Sequence, residues 1–232
     1  MKFFKQALIL FHALSFLLMP SSSPAGEINE LIIKKEEVSD QVPKDKLKAV
    51  ADEKDIEKAK QQTASVNDKI LAAAEMGDPD SQNFLGLFYL NGEEGNDMDA
   101  DKAEYWLSRA AENGHVDAQN DLSLLYLNGM GVEKDRQKGM FWLQKAAENG
   151  NVYAQSNLGQ IYYFERNYLE ASFWISEAAM QGHAKAQNNL AIMYSKGLGF
   201  EQNTELAIYW LQKAADQGDS SALRNLAKTS ED

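Results

Sequence analysis

At 232 residues and 44% hydrophobic content, the chain is long enough to bury one sizeable core or a row of smaller ones. Its formal net charge of −12 repels phosphate backbones and anionic lipid heads, which argues against nucleic acid as a partner. The complete lack of cysteine excludes both a disulfide framework and a lipid-modified thiol, so packing alone must stabilise the fold.

Lys2 and Lys5 precede an apolar run from about Ala7 to Met19, which Pro20 breaks. The run is shorter than the ~20 apolar residues that span a bilayer. Ser23 and Ala25 stand at the minus-three and minus-one places of a cut before Gly26. Residues 1–25 are therefore expected to be a secretory signal peptide. The remainder is expected to be exported, either periplasmic or secreted, with no membrane insertion after cleavage. Residues 26–66 are dense in mixed charge and lack aromatic residues, as expected of a solvated linker or marginal helices.

Repetition dominates the rest of the chain. "YWLSRAAENGH", "FWLQKAAENGN", "FWISEAAMQGH" and "YWLQKAADQGD" place tryptophans at Trp106, Trp142, Trp174 and Trp210, in steps of 36, 32 and 36. The closing glycines Gly114, Gly150, Gly182 and Gly218 keep the same steps. Ahead of each phrase runs a second one, in which Gln82, Gln119, Gln155 and Gln187 lie seven residues before Tyr89, Tyr126, Tyr162 and Tyr194. Fixed intervals of this length mark stacked structural units.

Within a unit the apolar spacing is helical twice over. Ala186, Leu190 and Tyr194 share one face; Ala207, Trp210 and Ala214 share another. One apolar stripe per helix cannot be buried by that helix alone, whereas a stack of helix pairs buries all of them. Asp99, Asp135, Asn167 and Asn203 stand seven residues before the tryptophans and are N-cap types. The closing glycines suit a left-handed C′ position. Gly86, Ser123, Gly159 and Ala191, with the paired alanines after each tryptophan, predict close helix approach, and the tryptophans are expected to fill the core. The third unit, "YYFERN", lacks a glycine and is four residues shorter between Tyr162 and Asn167, a loss that falls in its inter-helix turn. The solenoid is expected over residues 67–232: a leading half-unit at 67–77, units at 78–114, 115–150, 151–182 and 183–218, and a terminal cap helix at 219–232.

These phrases, "DAQNDLSLLYLNGMGVEKDRQKGMFWLQKAAENG" above all, resemble the Sel-like repeat family, a relative of tetratricopeptide repeats. The resemblance covers about Asn67 to Asp219. It implies an all-α fold, a right-handed α-solenoid of stacked antiparallel helix pairs. It also implies a protein or peptide held on the concave face, which the first helices line.

Motifs of chemistry are sparse. No G-x-S-x-G occurs, nor a serine with a lysine three residues on. "GMGVEK" and "GLGFEQ" lack the third glycine and the preceding strand of a dinucleotide loop. His115 and His183 share one repeat position about 68 residues apart, too separated for a metal site, and read as helix-start residues. The sequence predicts no cofactor, no metal and no catalytic residue. Asn83, Asn120, Ser156 and Asn188 recur six residues before each tyrosine and are the candidate partner contacts, since a side-chain amide both donates and accepts. The reading is an exported, non-enzymatic scaffold. The alternatives are an envelope hydrolase acting on peptidoglycan or β-lactams, or a regulatory accessory of such an enzyme.

Overall fold

The computed structural model describes residues 68–92 and 98–229. The leader at 1–25, the charged stretch at 26–66 and the "EEGND" turn at 93–97 lie outside the described residues. Among these there are ten helices and no strand. They are α1 (68–75), α2 (Pro79–Asn91), α3 (Ala100–Glu112), α4 (Val116–Asn128), α5 (Arg136–Glu148), α6 (Val152–Phe164), α7 (Tyr168–Met180), α8 (Ala184–Lys196), α9 (Thr204–Asp216) and α10 (Ser220–Thr229).

The chain divides into two units, Met1–Gln82 and Asn83–Asp232. In the described part of the first, Gly77 holds φ +98° and ends α1. Asp78 then caps α2, its Oδ2 accepting from Ser81 N at 2.9 Å.

The second unit repeats one arrangement. Even-numbered helices from α4 to α10 are the first of each pair and odd-numbered ones the second, each packed on its neighbours in sequence. The helices forming the cores of the middle pairs are 13 residues long, and the linkers after the second helices are three residues. Those short linkers are Schellman turns. Gly114 N bonds Ala111 O and His115 N bonds Ala110 O, with the same pair of bonds at Gly150–Asn151, Gly182–His183 and Gly218–Asp219. The residue that closes the Schellman turn also caps the next helix. Nδ1 of His115 and of His183 accepts from Ala118 N and Ala186 N, Asn151 Oδ1 accepts from Ala154 N, and Asp219 Oδ1 accepts from Ala222 N. Both histidines therefore start helices, as their repeat position implied.

The turn inside each pair has its own anchor. The amide of the residue before the second helix donates to the repeat tyrosine's carbonyl: Asp99 to Tyr89, Asp135 to Tyr126, Asn167 to Tyr162 and Asn203 to Tyr194, all at 2.9–3.0 Å. The shortened third unit preserves this bond across four fewer residues. It does so by placing Arg166 at φ +62°, where an L side chain is disfavoured. Asp99, Asp135 and Asn203 cap their helices through a side-chain oxygen. Asn167 does not: squeezed directly behind Arg166, it sits at φ −84° ψ 76° and makes no side-chain cap bond.

Small residues set the interhelix distance. The alanine pairs Ala110–Ala111, Ala146–Ala147 and Ala178–Ala179 are fully buried. A Cβ on Gly159 would stand 2.9 Å from the backbone nitrogen of Ile175, so α6 and α7 touch almost main chain to main chain. Each later tryptophan lies against the core made by the preceding second helix and the first helix of its own pair: Trp142 on the core around Leu107 and Leu122, Trp174 on that around Leu143 and Leu158, Trp210 on that around Ile175 and Leu190. Only Trp106 is buried outright; Trp142, Trp174 and Trp210 are half-buried. These three are thus less complete core residues than the repeat pattern implied, because each indole seals the margin of a core instead of filling its centre.

Replacing Arg166 by glycine removes the left-handed strain and is expected to stabilise the fold by about 1 kcal/mol. Urea unfolding checks this; an unchanged or lowered midpoint refutes it.

Candidate interaction face

The first helices α4, α6 and α8 carry three polar residues in succession, and α2 carries the first two of them. Gln82, Gln119, Gln155 and Gln187 are buried. Their Nε2 atoms donate at 2.9–3.1 Å to the carbonyls of Ala74, Ala111, Ala147 and Ala179, eight residues back. The Oε1 atoms of the last three accept from the end of the second helix of their own repeat: from Asn149 to Gln119 at 2.9 Å, from Gln181 to Gln155 at 2.7 Å and from Gln217 to Gln187 at 2.8 Å. The donors are the C-cap residues of α5, α7 and α9. Each of these three glutamines thus ties its helix to the preceding repeat and to the second helix of its own repeat. Leaving one such buried amide unpaired costs about 1–3 kcal/mol.

The second position is the row Asn83, Asn120, Ser156 and Asn188. All four are more than nine-tenths buried. Asn188 Oδ1 accepts from Asn225 of α10 at 2.9 Å, linking one first helix to the next. Asn120 donates to Asp121 Oδ1, and the Oδ1 atoms of Asn83 and Asn120 are covered without a hydrogen-bond partner. The row comes together along one seam of the first helices, but under their surface. It adjoins the glutamines along each helix, and the packing of neighbouring helices covers both positions.

The third position is buried at Asp121 on α4 but meets a recess at Asn189 on α8. Asn189 on α8, with Ile192, faces Gln160, Tyr163 and Phe164 on α6 across a recess of about 110 Å³ floored by Ile175. Gln160 and Phe164 are exposed, the latter by 74%; Tyr163, Asn189 and Ile192 are partly covered, and Ile175 is buried. Consecutive first helices therefore line one cleft with apolar side chains and two free-standing amides. Asparagine recurrence does not point to this cleft, but another column of the repeat does. Five residues after the repeat glutamine stand Leu87, Leu124, Gln160 and Ile192, so Gln160 is the polar exception in an apolar column.

The titratable groups with displaced ionisation belong to the scaffold. Burial, with the Glu104 carboxylate that accepts from its hydroxyl at 2.5 Å, pushes the Tyr126 phenol well above its usual range. Burial and Asp117 raise Tyr153. Burial and, secondarily, Lys185 lower His183 from 6.5, with Asp219 opposing them. Among the described residues no group of three or more His, Cys, Asp or Glu is placed to hold a metal ion. Nor is any described helix long and apolar enough to cross a membrane.

The Sel1 repeat model matches four consecutive segments, residues 79–115, 116–151, 152–183 and 184–219. No curated protein matches. Among solved structures, a protective antigen present in uropathogenic Escherichia coli strains, displaying an SLR fold, is 34% identical over 70% of this chain with a TM-score of 0.65. A Sel1 repeat protein from Oxalobacter formigenes is 34% identical over 71% of this chain with a TM-score of 0.66. The matches take in 36% and 49% of those longer chains.

His183 gives a pH test. Its neutral Nδ1 caps α8, and its folded pKa lies below the unfolded one. The unfolded chain therefore takes up the proton first, so this contribution is present above about pH 6.5 and is lost as pH falls. His183→Asn, which installs the cap residue found at 151, is expected to lessen the fall in urea-unfolding stability between about pH 7 and pH 5. An unaltered slope refutes the assignment.

Proposed function

Since this chain belongs to the Sel1 repeat family, whose members are typically protein–protein interaction scaffolds, we propose that it is an exported, non-catalytic scaffold that holds an extended segment of another protein against its first helices. The observation that carries this is the recess shared by α6 and α8. Gln160 and Asn189 present amides from two consecutive first helices, each able to donate and accept, beside the apolar Phe164 and Ile192. An extended peptide offers that alternation: backbone N–H and C=O groups between side chains that seek apolar cover. Asn83, Asn120, Ser156 and Asn188 then act mainly by setting the spacing of the helices that form the cleft, with only their outer margins within a partner's reach. Export is supported by the apolar run from Ala7 to Met19 behind Lys2 and Lys5, with Ser23 and Ala25 before Gly26.

Two measurements test the reading. Photocrosslinking from position 164 in the native cell should join the chain to a protein, and Gln160→Ala with Asn189→Ala should cut that yield several-fold without changing helix content. A yield that ignores the double variant refutes the cleft. Mass spectrometry of the chain recovered from outside the cytoplasm should find Gly26 at its amino terminus; recovery only from the cytoplasm with Met1 retained refutes export.

A further inference from the structure

The outward face of α7 differs from its three sister helices at four positions. Five residues before the tryptophan stand Asp101, Gln137 and Glu205, but Leu169 in the third repeat; six residues after it stand Glu112, Glu148 and Asp216, but Met180. Four before it stand Lys102, Lys138 and Leu206, but Glu170; three after it stand Arg109, Lys145 and Lys213, but Glu177. Apolar residues have replaced polar or acidic ones, and acidic residues have replaced cations at both positions where most sisters carry one.

The consequences are visible at the surface. Leu169, Phe173 and Met180 are 73%, 55% and 64% exposed, and their spacing places them on one stripe of the helix. The equivalent rings Tyr105, Phe141 and Tyr209 are also exposed, yet each has a cation over it: Arg109 at 5.8 Å, Lys145 at 5.8 Å and Lys213 at 5.7 Å. The third repeat has Glu177 at that position instead. Phe173 is held edge-on to Trp174 at 4.8 Å, so the stripe stands on a fixed base. Glu170 and Glu177 both follow the stripe along one flank, on the side of Trp174.

We infer that this face of α7 is a second docking site, distinct from the cleft of the first helices, and that its occupant is a basic amphipathic helix of another protein. The apolar stripe matches a helix that offers anchors at i, i+4, i+7 and i+11, and the two carboxylates match lysine or arginine beside those anchors. A second copy of this chain fits worse. Antiparallel pairing of two α7 stripes brings the Glu170–Glu177 flank of one against the same flank of the other, and like charges oppose each other there. The remaining repeats supply the internal control, since none combines the stripe with the acidic flank.

The test uses the full chain and a labelled synthetic helix with leucines at i, i+4, i+7 and i+11 and lysines on both sides, alongside a twin with glutamates for the lysines. Fluorescence anisotropy should show the lysine peptide binding at least roughly tenfold more tightly than its twin. Leu169→Asp with Met180→Glu should weaken it by at least roughly tenfold, even though the pair adds negative charge. Glu170→Lys with Glu177→Lys should reverse the preference between the peptides. Both pairs install residues that sister repeats carry at exposed positions, and an unchanged melting temperature confirms that the fold is kept. The proposal is overturned if the Leu169–Met180 pair leaves binding intact, which would mean unspecific attraction to an acidic protein. It is equally overturned if the native chain sediments as a dimer that this pair dissolves, which would make a second copy the occupant.

Discussion

Between consecutive repeats the backbone turns within three residues, and the last of them serves both helices. His115, Asn151, His183 and Asp219 each donate an amide to close the helix behind and offer a side-chain acceptor to start the helix ahead. Because one residue meets both demands, the angle between successive pairs has little room to vary. The rest of the architecture depends on that restriction. Helices locked at a fixed angle and a three-residue separation need small residues where they touch, which the alanine pairs and Gly159 provide. The residual spaces need large flat side chains at their margins, which the tryptophans provide.

Polar residues in this stack divide by depth. The glutamines sit deepest and carry hydrogen bonds from each repeat back to the one before it. The asparagine row sits just under the surface and joins neighbouring first helices, as Asn188 does with Asn225. Gln160 and Asn189 reach the open recess. A burial gradient over a few residues of one helix thus separates structural amides from those a ligand can meet.

Much of this was legible in the sequence, and the reasons are specific. The steps of 36, 32 and 36 report the unit directly because each unit buries its stripe only against its neighbours. Gly114, Gly150, Gly182 and Gly218 announced their left-handed backbone because few other residues accept it. The histidines at 115 and 183 were legible as helix starts because asparagine and aspartate fill the same slot elsewhere. Depth was harder to read. A 3.6-residue period tells which side of a helix a polar residue occupies, not how far a neighbouring helix overhangs it, so Asp121 and Asn189 share one repeat column while the first is buried and the second is half open. The cap at Asn167 failed for a different reason: residue type suited it, but the shortened turn forced Arg166 into a conformation that moved it out of position. Half-burial of three tryptophans was likewise set by what lies beyond each helix.

The glutamine ladder has a direction and an end. Each rung donates to the repeat before it and accepts from the second helix of its own repeat, and the last complete rung is Gln187, between Ala179 and Gln217. On α10 the corresponding place holds Leu223, which is 52% exposed and has no amide to offer. Any lengthening of the array by copying its final pair of helices would therefore inherit a broken seam there. Growth of the repeat tract by duplication is open upstream of α10 and obstructed beyond it, unless position 223 first carries a glutamine.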